Sequence, residues 1–279
     1  MPIRVSTVRG REFGDGVRAV VEGSGLTSRQ VAMLVGCDEG KISEVLNGKL
    51  QLSALELAVL LSVCRPKAAE RDRLLELHPA QDWLGWWQQH GQHSPAWPAT
   101  AAAQVRVAKE LIDWQPHVLP VFLRTDEYAR ELMVASGAVA QEEEKQEERV
   151  LAPGRLRNLL RDRLACTFYI HEFALRLQVG GPAVQKEQLL YLTLLENWTY
   201  VTIRVVPASA GAHAGVTGAF TLLKFPKYAP VVWLEALNSS TFLEQKDSVK
   251  GYETAVKQLD KVSMGQQESL KFINDLQNW

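Results

Sequence analysis

The sequence predicts a chain in two parts: a mainly α N-terminal helix-turn-helix domain of five helices, followed by an α+β domain with an antiparallel sheet. Three observations predict it. Residues 26–49 have the spacing of two short helices joined by a tight turn at Gly36. Apolar residues recur at helical intervals on both sides of that segment, as far as His78. Beyond residue 165 the pattern changes to short β-branched and aromatic runs, and two amphipathic helices close the sequence. The domain limits drawn from this are 1–78, a Trp-rich linker at 79–98, and 99–279.

In order, Phe13, Val17, Val20 and Val21 mark the inward face of the first helix. Thr27 and Gln30 have capping-box spacing, in which hydroxyl and amide each satisfy an orphan backbone N–H, and they open the second helix. Val31, Ala32 and Val35 turn inward, Gly36 reverses the chain, and Asp38 caps the third helix, anchored by Ile42, Val45 and Leu46. Ser53 and Glu56 form a second capping box before an apolar run to Val63, and Pro66 suits the first turn of a fifth helix ending at Leu77.

Five short helices with the helix-turn-helix at the second and third resemble the Xre/Cro-type DNA-binding domain of bacterial repressors over residues 10–78. The candidate reading surface is what the third helix leaves outward: Glu39, Gly40, Lys41, Ser43 and Glu44, with Asn47 at its end. Arg29, Gln30, Lys41 and Lys49 are the candidate phosphate contacts. Residues 1–49 carry seven basic and six acidic side chains, a balance of +1, which is little charge for neutralising phosphates. One protomer should therefore grip weakly, and paired half-sites on an operator, bound by a homodimer, or a protein partner must add affinity.

Composition narrows the classes. With 279 residues, 46% of them hydrophobic, the sequence buries one large or two ordinary cores. No apolar stretch approaches the roughly 20 residues of a membrane span, and residues 1–12 lack an apolar signal segment, so a cytoplasmic protein without membrane contact is expected. Cys37, Cys64 and Cys166 are scattered and read as small buried hydrophobes. The net charge of −1 confines any DNA contact to a local surface.

In the linker, Trp83, Trp86 and Trp87 stand at helical i, i+3, i+4 spacing and predict one aromatic face, for packing or for a partner or ligand. His90 and His93 lack a third ligand in register, and no metal or other cofactor is expected.

The second domain opens with a helical run at 100–114. Thr125 caps a helix over 126–136, and a helix runs from Gly180-Gly-Pro182 to about Asn197. The charged run 141–149 predicts a solvated helix face, and Arg149, Arg155, Arg157, Arg161 and Arg163 are read as partners of its glutamates ahead of the alternative, a nucleic-acid or phosphate contact. Strands are predicted at 167–171, 201–207, 219–225 and 230–234, the last three antiparallel because the links between them are short. Helices follow at 247–262 and 266–276, the second opened by a capping box at Ser263.

Several short motifs here, in order, look like one family. They are 117–130 around His117-Val-Leu-Pro120, Ile170-His-Glu172, Val179-Gly-Gly-Pro182, Gln188-Leu189, Val205-Val-Pro207, Gly218-Ala-Phe220 and Glu268-Ser269. Over about 97–278 they resemble the C-terminal domain of actinobacterial Xre-type regulators, the antitoxin-like WhiJ-like developmental regulators of streptomycetes. The resemblance implies a transcriptional regulator, commonly encoded beside a small BldB-like partner protein that controls its DNA binding. Where many members have Pro-Gly-Leu-Leu-Gln-Thr, this sequence has Pro120-Val-Phe-Leu-Arg-Thr125, so no role of that glycine or glutamine transfers.

Catalysis is not expected: there is no phosphate-binding glycine loop, and Ser209 with His213 lacks an orienting acid. Two alternatives to a DNA-binding repressor stay open. One is an antitoxin-like interaction factor whose helix-turn-helix no longer grips DNA. The other is a small-molecule-sensing regulator, with the Gly/Ala-rich loop at 208–218 and His213 beside the ligand.

Overall fold

The computed structural model describes residues 6–78, 85–89, 99–136, 154, 157–160, 164–236 and 239–277. They form two compact units, Met1–Trp86 and Trp87–Trp279.

The first unit holds α1 (Val8–Gly23), α2 (Ser28–Val35), α3 (Glu39–Leu46), α4 (Ala54–Cys64) and α5 (Ala68–Leu77). Their inward residues make one core, with Val17, Val31, Ile42, Val45, Leu60 and Leu74 fully buried. Three glycines set how closely the helices approach. A Cβ on Gly14 would lie 2.6 Å from the Val45 carbonyl oxygen, so α1 and α3 meet backbone to backbone. At Gly16 the close approach is to a side chain instead: a Cβ there would lie 2.8 Å from the Leu74 Cδ2 of α5. Gly48, at φ +67°, ends α3 against α1, where a Cβ would lie 2.5 Å from the Arg11 nitrogen. Pro66 falls before α5 rather than in its first turn, because Lys67 is the N-cap.

A seven-stranded sheet has the order β1-β7-β6-β5-β2-β3-β4, with β2 to β7 wholly in the second unit and β1 spanning the boundary at Trp86. The strands are β1 (Gly85–Gln89), β2 (Glu110–Gln115), β3 (Ala165–His171), β4 (Val201–Val206), β5 (Phe220–Lys224), β6 (Val231–Ala236) and β7 (Ser239–Leu243). The sheet is mixed, which corrects the expected antiparallel one: β2, β3 and β4 run parallel, and β5, β6 and β7 continue antiparallel from β2. The links between the parallel strands are long enough to hold helices, so crossovers are available to them. Only the links after β5 are hairpin-short. Although β4 and β5 are successive in the chain, they are not neighbours in the sheet.

Two expected helical stretches are strands. The helix expected over 100–114 stops as α6 (Ala99–Val107), and Glu110–Gln115 is β2, an interior strand of the sheet between β5 and β3. Gly85–Gln89 is β1, so Trp86 and Trp87 are not on one helical face; Trp83 lies outside the described residues. The run 141–149 with Arg149, Arg155, Arg161 and Arg163, and the His90/His93 pair, also lie outside them. Arg157 is described and pairs with Asp126 at 3.1 Å.

One sheet face, with Ile112, Trp114, Phe220, Leu222 and Val232, is covered by α10 (Lys246–Val262) through Val249 and Leu259. The other face carries Asp113, which pairs with Phe168 and Thr221 in the register. Over it lies the segment 119–125, where Phe122 meets Phe168 at 6.1 Å between ring centroids. That segment leads into α7 (Asp126–Ala135), capped by Thr125 as expected. After β3 come a short α8 (Glu172–Arg176) and α9 (Gly181–Leu194), opened by Pro182. The fully buried Gln188 of α9 accepts from the Thr125 N–H at 2.7 Å and donates to the Leu123 carbonyl at 2.8 Å. The last helix, α11 (Gln266–Leu276), is held to β4 by Ser269, whose hydroxyl accepts from the Val205 N–H at 2.9 Å. Its N-cap is Gly265 without a side-chain bond, so the expected Ser263 box is not formed; Ser263 ends α10 instead.

Candidate nucleic-acid interface

The helix-turn-helix is built by side chains that satisfy its own ends. The Thr27 hydroxyl accepts from the Gln30 N–H, and Gln30 Oε1 accepts from the Thr27 N–H at 2.8 Å, closing the capping box of α2. The chain then turns at Gly36 in the left-handed region, φ +81°, where the Gly36 and Cys37 N–H groups both donate to the Ala32 carbonyl at 3.0 Å. Asp38 caps α3 by accepting from the Lys41 N–H at 2.8 Å. With Ile42 and Val45 buried, α3 presents Glu39, Gly40, Ser43 and Asn47 to solvent, while Lys41 and Glu44 are half-buried.

Several residues expected to meet DNA have intramolecular tasks. Gln30 has its side-chain oxygen committed to the cap. Asn47 is the C-cap of α3, and its side-chain amide donates to the Ser43 carbonyl at 2.7 Å. Lys41 turns away from the outer face to an ion pair with Glu56 at 2.5 Å, and the other Glu56 oxygen closes the capping box of α4 by accepting from the Ser53 N–H. Glu56 thus ties the reading helix to α4. The sequence shows Lys41 and Glu56 separately, and only the fold brings them together.

Three further cations of residues 1–49 are similarly engaged, while Arg4 lies outside the described residues. Arg9 donates to the Leu77 and Glu76 carbonyls at the end of α5 and lies over the Trp86 ring at 5.9 Å. Arg11 is buried and donates to the Ser6 carbonyl, and Arg18 donates to the Leu46 carbonyl at the end of α3. Among the described residues of this stretch, Arg29 and Lys49 are the cations left exposed without such a bond. Local charge available to phosphate is smaller than the residue count suggests.

The Lys41 hydrogen bond, followed by the Ser53 N–H, holds the Glu56 carboxyl at about 2. Folding lowers this pKa, so the stabilisation is complete above the ordinary carboxylate range and is lost as pH falls through it toward 2. Lys41→Ala should cost about 1 kcal/mol at neutral pH, the scale of a partly exposed pair, and should flatten the acid limb of first-unit stability between about pH 4.5 and 2. Urea denaturation at several pH values checks it.

In the second unit the loop at 208–218 is largely exposed but fastened at Gly215, its one buried residue. Trp114, fully buried, donates from its indole to the Gly215 carbonyl at 2.8 Å, and a Cβ on Gly215 would lie 2.6 Å from that ring. His213 stands edge-on to Trp114 at 5.2 Å and stacks near His171 at 6.2 Å. Burial, and then the facing imidazole of His171, lowers the His213 pKa. Trp87 is 59% exposed on β1, while Trp86 packs on the first core.

A family model described as a domain of unknown function, DUF5753, matches residues 99–275. This chain belongs to the DUF5753 family. A second model, described as a helix-turn-helix domain, matches residues 12–74 and so covers α2 and α3. The DUF5753 match takes in every strand from β2 to β7 and the helices on both sheet faces. No curated protein matches the sequence. A solved structure of TrmBL2, an archaeal chromatin protein described as showing a novel mode of DNA binding, is similar over 89% of this chain and 92% of that one. Identity is 10% and the TM-score 0.30, a likeness that carries no argument. No helix among the described residues is long and apolar enough to cross a membrane.

Proposed function

We propose that this protein is a sequence-specific DNA-binding transcriptional regulator and not an enzyme. In this reading it acts as a repressor that lays α3 in the major groove as a homodimer on paired half-sites. The observation that carries this reading is the capped helix-turn-helix, which leaves Glu39, Gly40 and Ser43 on one outward face of a helix anchored by Ile42 and Val45. Arg29 and Lys49 serve as phosphate contacts, and Glu39, with Glu44 beside it, reads base edges as an acceptor for cytosine N4.

The DUF5753 unit receives the small partner protein that the resemblance to actinobacterial Xre-type regulators implies. Leu190 and Leu194, one turn apart on α9, support this as apolar side chains 49% and 56% exposed. With so few unengaged cations, affinity from the partner is a requirement of the mechanism rather than an addition to it.

Fluorescence anisotropy on fragments of the gene's own upstream region, at several salt concentrations and with or without the neighbouring small protein, tests the reading. Two phosphate contacts per protomer in a dimer give a slope of log affinity against log salt of roughly −3.6, from about −0.9 per contact. Arg29→Ala should halve it, weakening binding to all sequences, and Lys41→Ala should leave the slope unchanged. Glu39→Ala should instead change which sequence is preferred. Absence of specific, salt-sensitive binding under all these conditions sinks the proposal.

A further inference from the structure

On the sheet face opposite α10, a cavity of about 210 Å³ is lined by Asp113, Gln115, Arg124, Thr221, Trp233 and Glu235, among others. All belong to the DUF5753 unit. Asp113 is 1% exposed; one carboxylate oxygen accepts from the Thr221 hydroxyl at 2.6 Å and from the Gln115 amide at 3.3 Å, and the other has no hydrogen-bond partner. A buried acceptor left open costs the fold its desolvation, and native proteins rarely keep one without a use.

Across the cavity stands Arg124. Its backbone is clamped on both sides by Gln188 through the Leu123 carbonyl and the Thr125 N–H, and its own carbonyl accepts from Arg157. The Arg124 Nε donates to the Leu119 carbonyl at 2.8 Å, and among the described residues its terminal nitrogens carry no hydrogen bond. No ion pair joins Arg124 to Asp113 or Glu235 among the described residues, although each feels the other's charge. The arrangement is an acceptor and a fork-shaped donor, both fixed in place, separated by empty volume, with Trp233 as apolar wall.

We propose that this cavity binds a free α-amino acid, its ammonium on Asp113 and its carboxylate on Arg124. A simple cation would leave Arg124 unanswered, and a simple anion would meet Asp113 and Glu235. The volume equals about seven liquid waters and falls below the roughly 300 Å³ where drug-sized pockets begin, which suits a molecule of this class. Burial as the leading cause pushes the Asp113 carboxyl up to about 6, against the pull of Thr221, Gln115 and Arg124, and a ligand ammonium supplies the donor that its unpartnered oxygen lacks. The site does not depend on the first unit's binding DNA.

The test is a thermal-shift screen of the full chain with each of the twenty proteinogenic L-amino acids at 10 mM. Each hit is repeated as its N-acetyl and its carboxamide derivative. At 100 times Kd a ligand specific for the folded state should raise the midpoint by on the order of 5 °C. The expected result is a small set of hits, each abolished by blocking either end, and none surviving in Asp113→Asn. No hit among the twenty overturns the proposal, as does a hit that tolerates N-acetylation. If Asp113→Asn does not fold, the blocked derivatives decide on the unaltered protein. None of these outcomes depends on whether an operator is bound.

Discussion

Gly48→Ala should destabilise the first unit by about 3 kcal/mol or more, the largest effect expected of any single methyl group there. Two penalties coincide. The residue holds φ +67°, which costs a side-chain-bearing residue about 1–2 kcal/mol. The new Cβ would also lie 2.5 Å from the Arg11 nitrogen and 2.6 Å from the Gly10 carbonyl carbon, backbone atoms that yield only if α1 moves away from the end of α3. Overpacking of that kind adds about 1–3 kcal/mol. Gly36→Ala is the control, because φ is +81° there but nothing lies within 4 Å, so only the conformational penalty applies. Because two compact units need not unfold together, urea denaturation should be followed by hydrogen exchange of peptides from each. Equal effects of the two substitutions would refute the claim that α1 and α3 are in backbone contact at Gly48.

Trp114→Ala should cost the second unit about 3–5 kcal/mol, the range for deleting a fully buried aromatic side chain. Trp114 sits on the interior strand β2, fills the core under α10, and fastens the 208–218 loop through Gly215. Trp114→Phe separates these roles: it keeps most of the packing and strands the Gly215 carbonyl, at about 1–3 kcal/mol. Limited proteolysis should then cut within 208–218 earlier in Trp114→Phe than in the parent chain, while β2 and β5 keep their exchange protection. An unchanged cleavage rate would show that the loop is held by something other than the indole.

The elements legible in the sequence are those that local chemistry specifies. Thr27 with Gln30, Ser53 with Glu56, Asp38 and Thr125 are caps whose partners lie three residues away, and all four form. Gly36 announces its turn because its conformation is a property of one residue. By contrast, 110–115 follows an Ala-rich helix and contains Leu111, Ile112 and Trp114, which fit a helical stripe as well as a strand; only pairing with β3 and β5 decides. Trp86 and Trp87 fit i+3, i+4 spacing from Trp83, yet adjacent residues of a strand point to opposite sides, which is why one is half-buried and the other exposed. The antiparallel pairing of β5 with β6 was legible from their short link, but the parallel run of β2, β3 and β4 was not, since their long links permit either direction until the crossover helices are placed. In the candidate DNA interface, the outward face of α3 was readable from its inward anchors. The diversion of Lys41 to Glu56 was not, because the two are 15 residues apart in sequence. The cavity at Asp113 depends on strands and a segment far apart in the chain and leaves no short motif.

The sheet's strand order has a consequence for synthesis. The first unit is contiguous and precedes the second, so its five helices can fold as soon as they emerge. The interior strand β2 must wait for both neighbours, β3 across a long crossover and β5 more than a hundred residues on, before its edges are satisfied. At about 5–20 residues per second, the 193 residues from Trp87 to Trp279 take roughly 10–40 s to translate. Through that interval the nascent chain carries a finished first unit beside an unpaired β2, and a slow codon or a stall in this stretch prolongs the exposure of those strand edges.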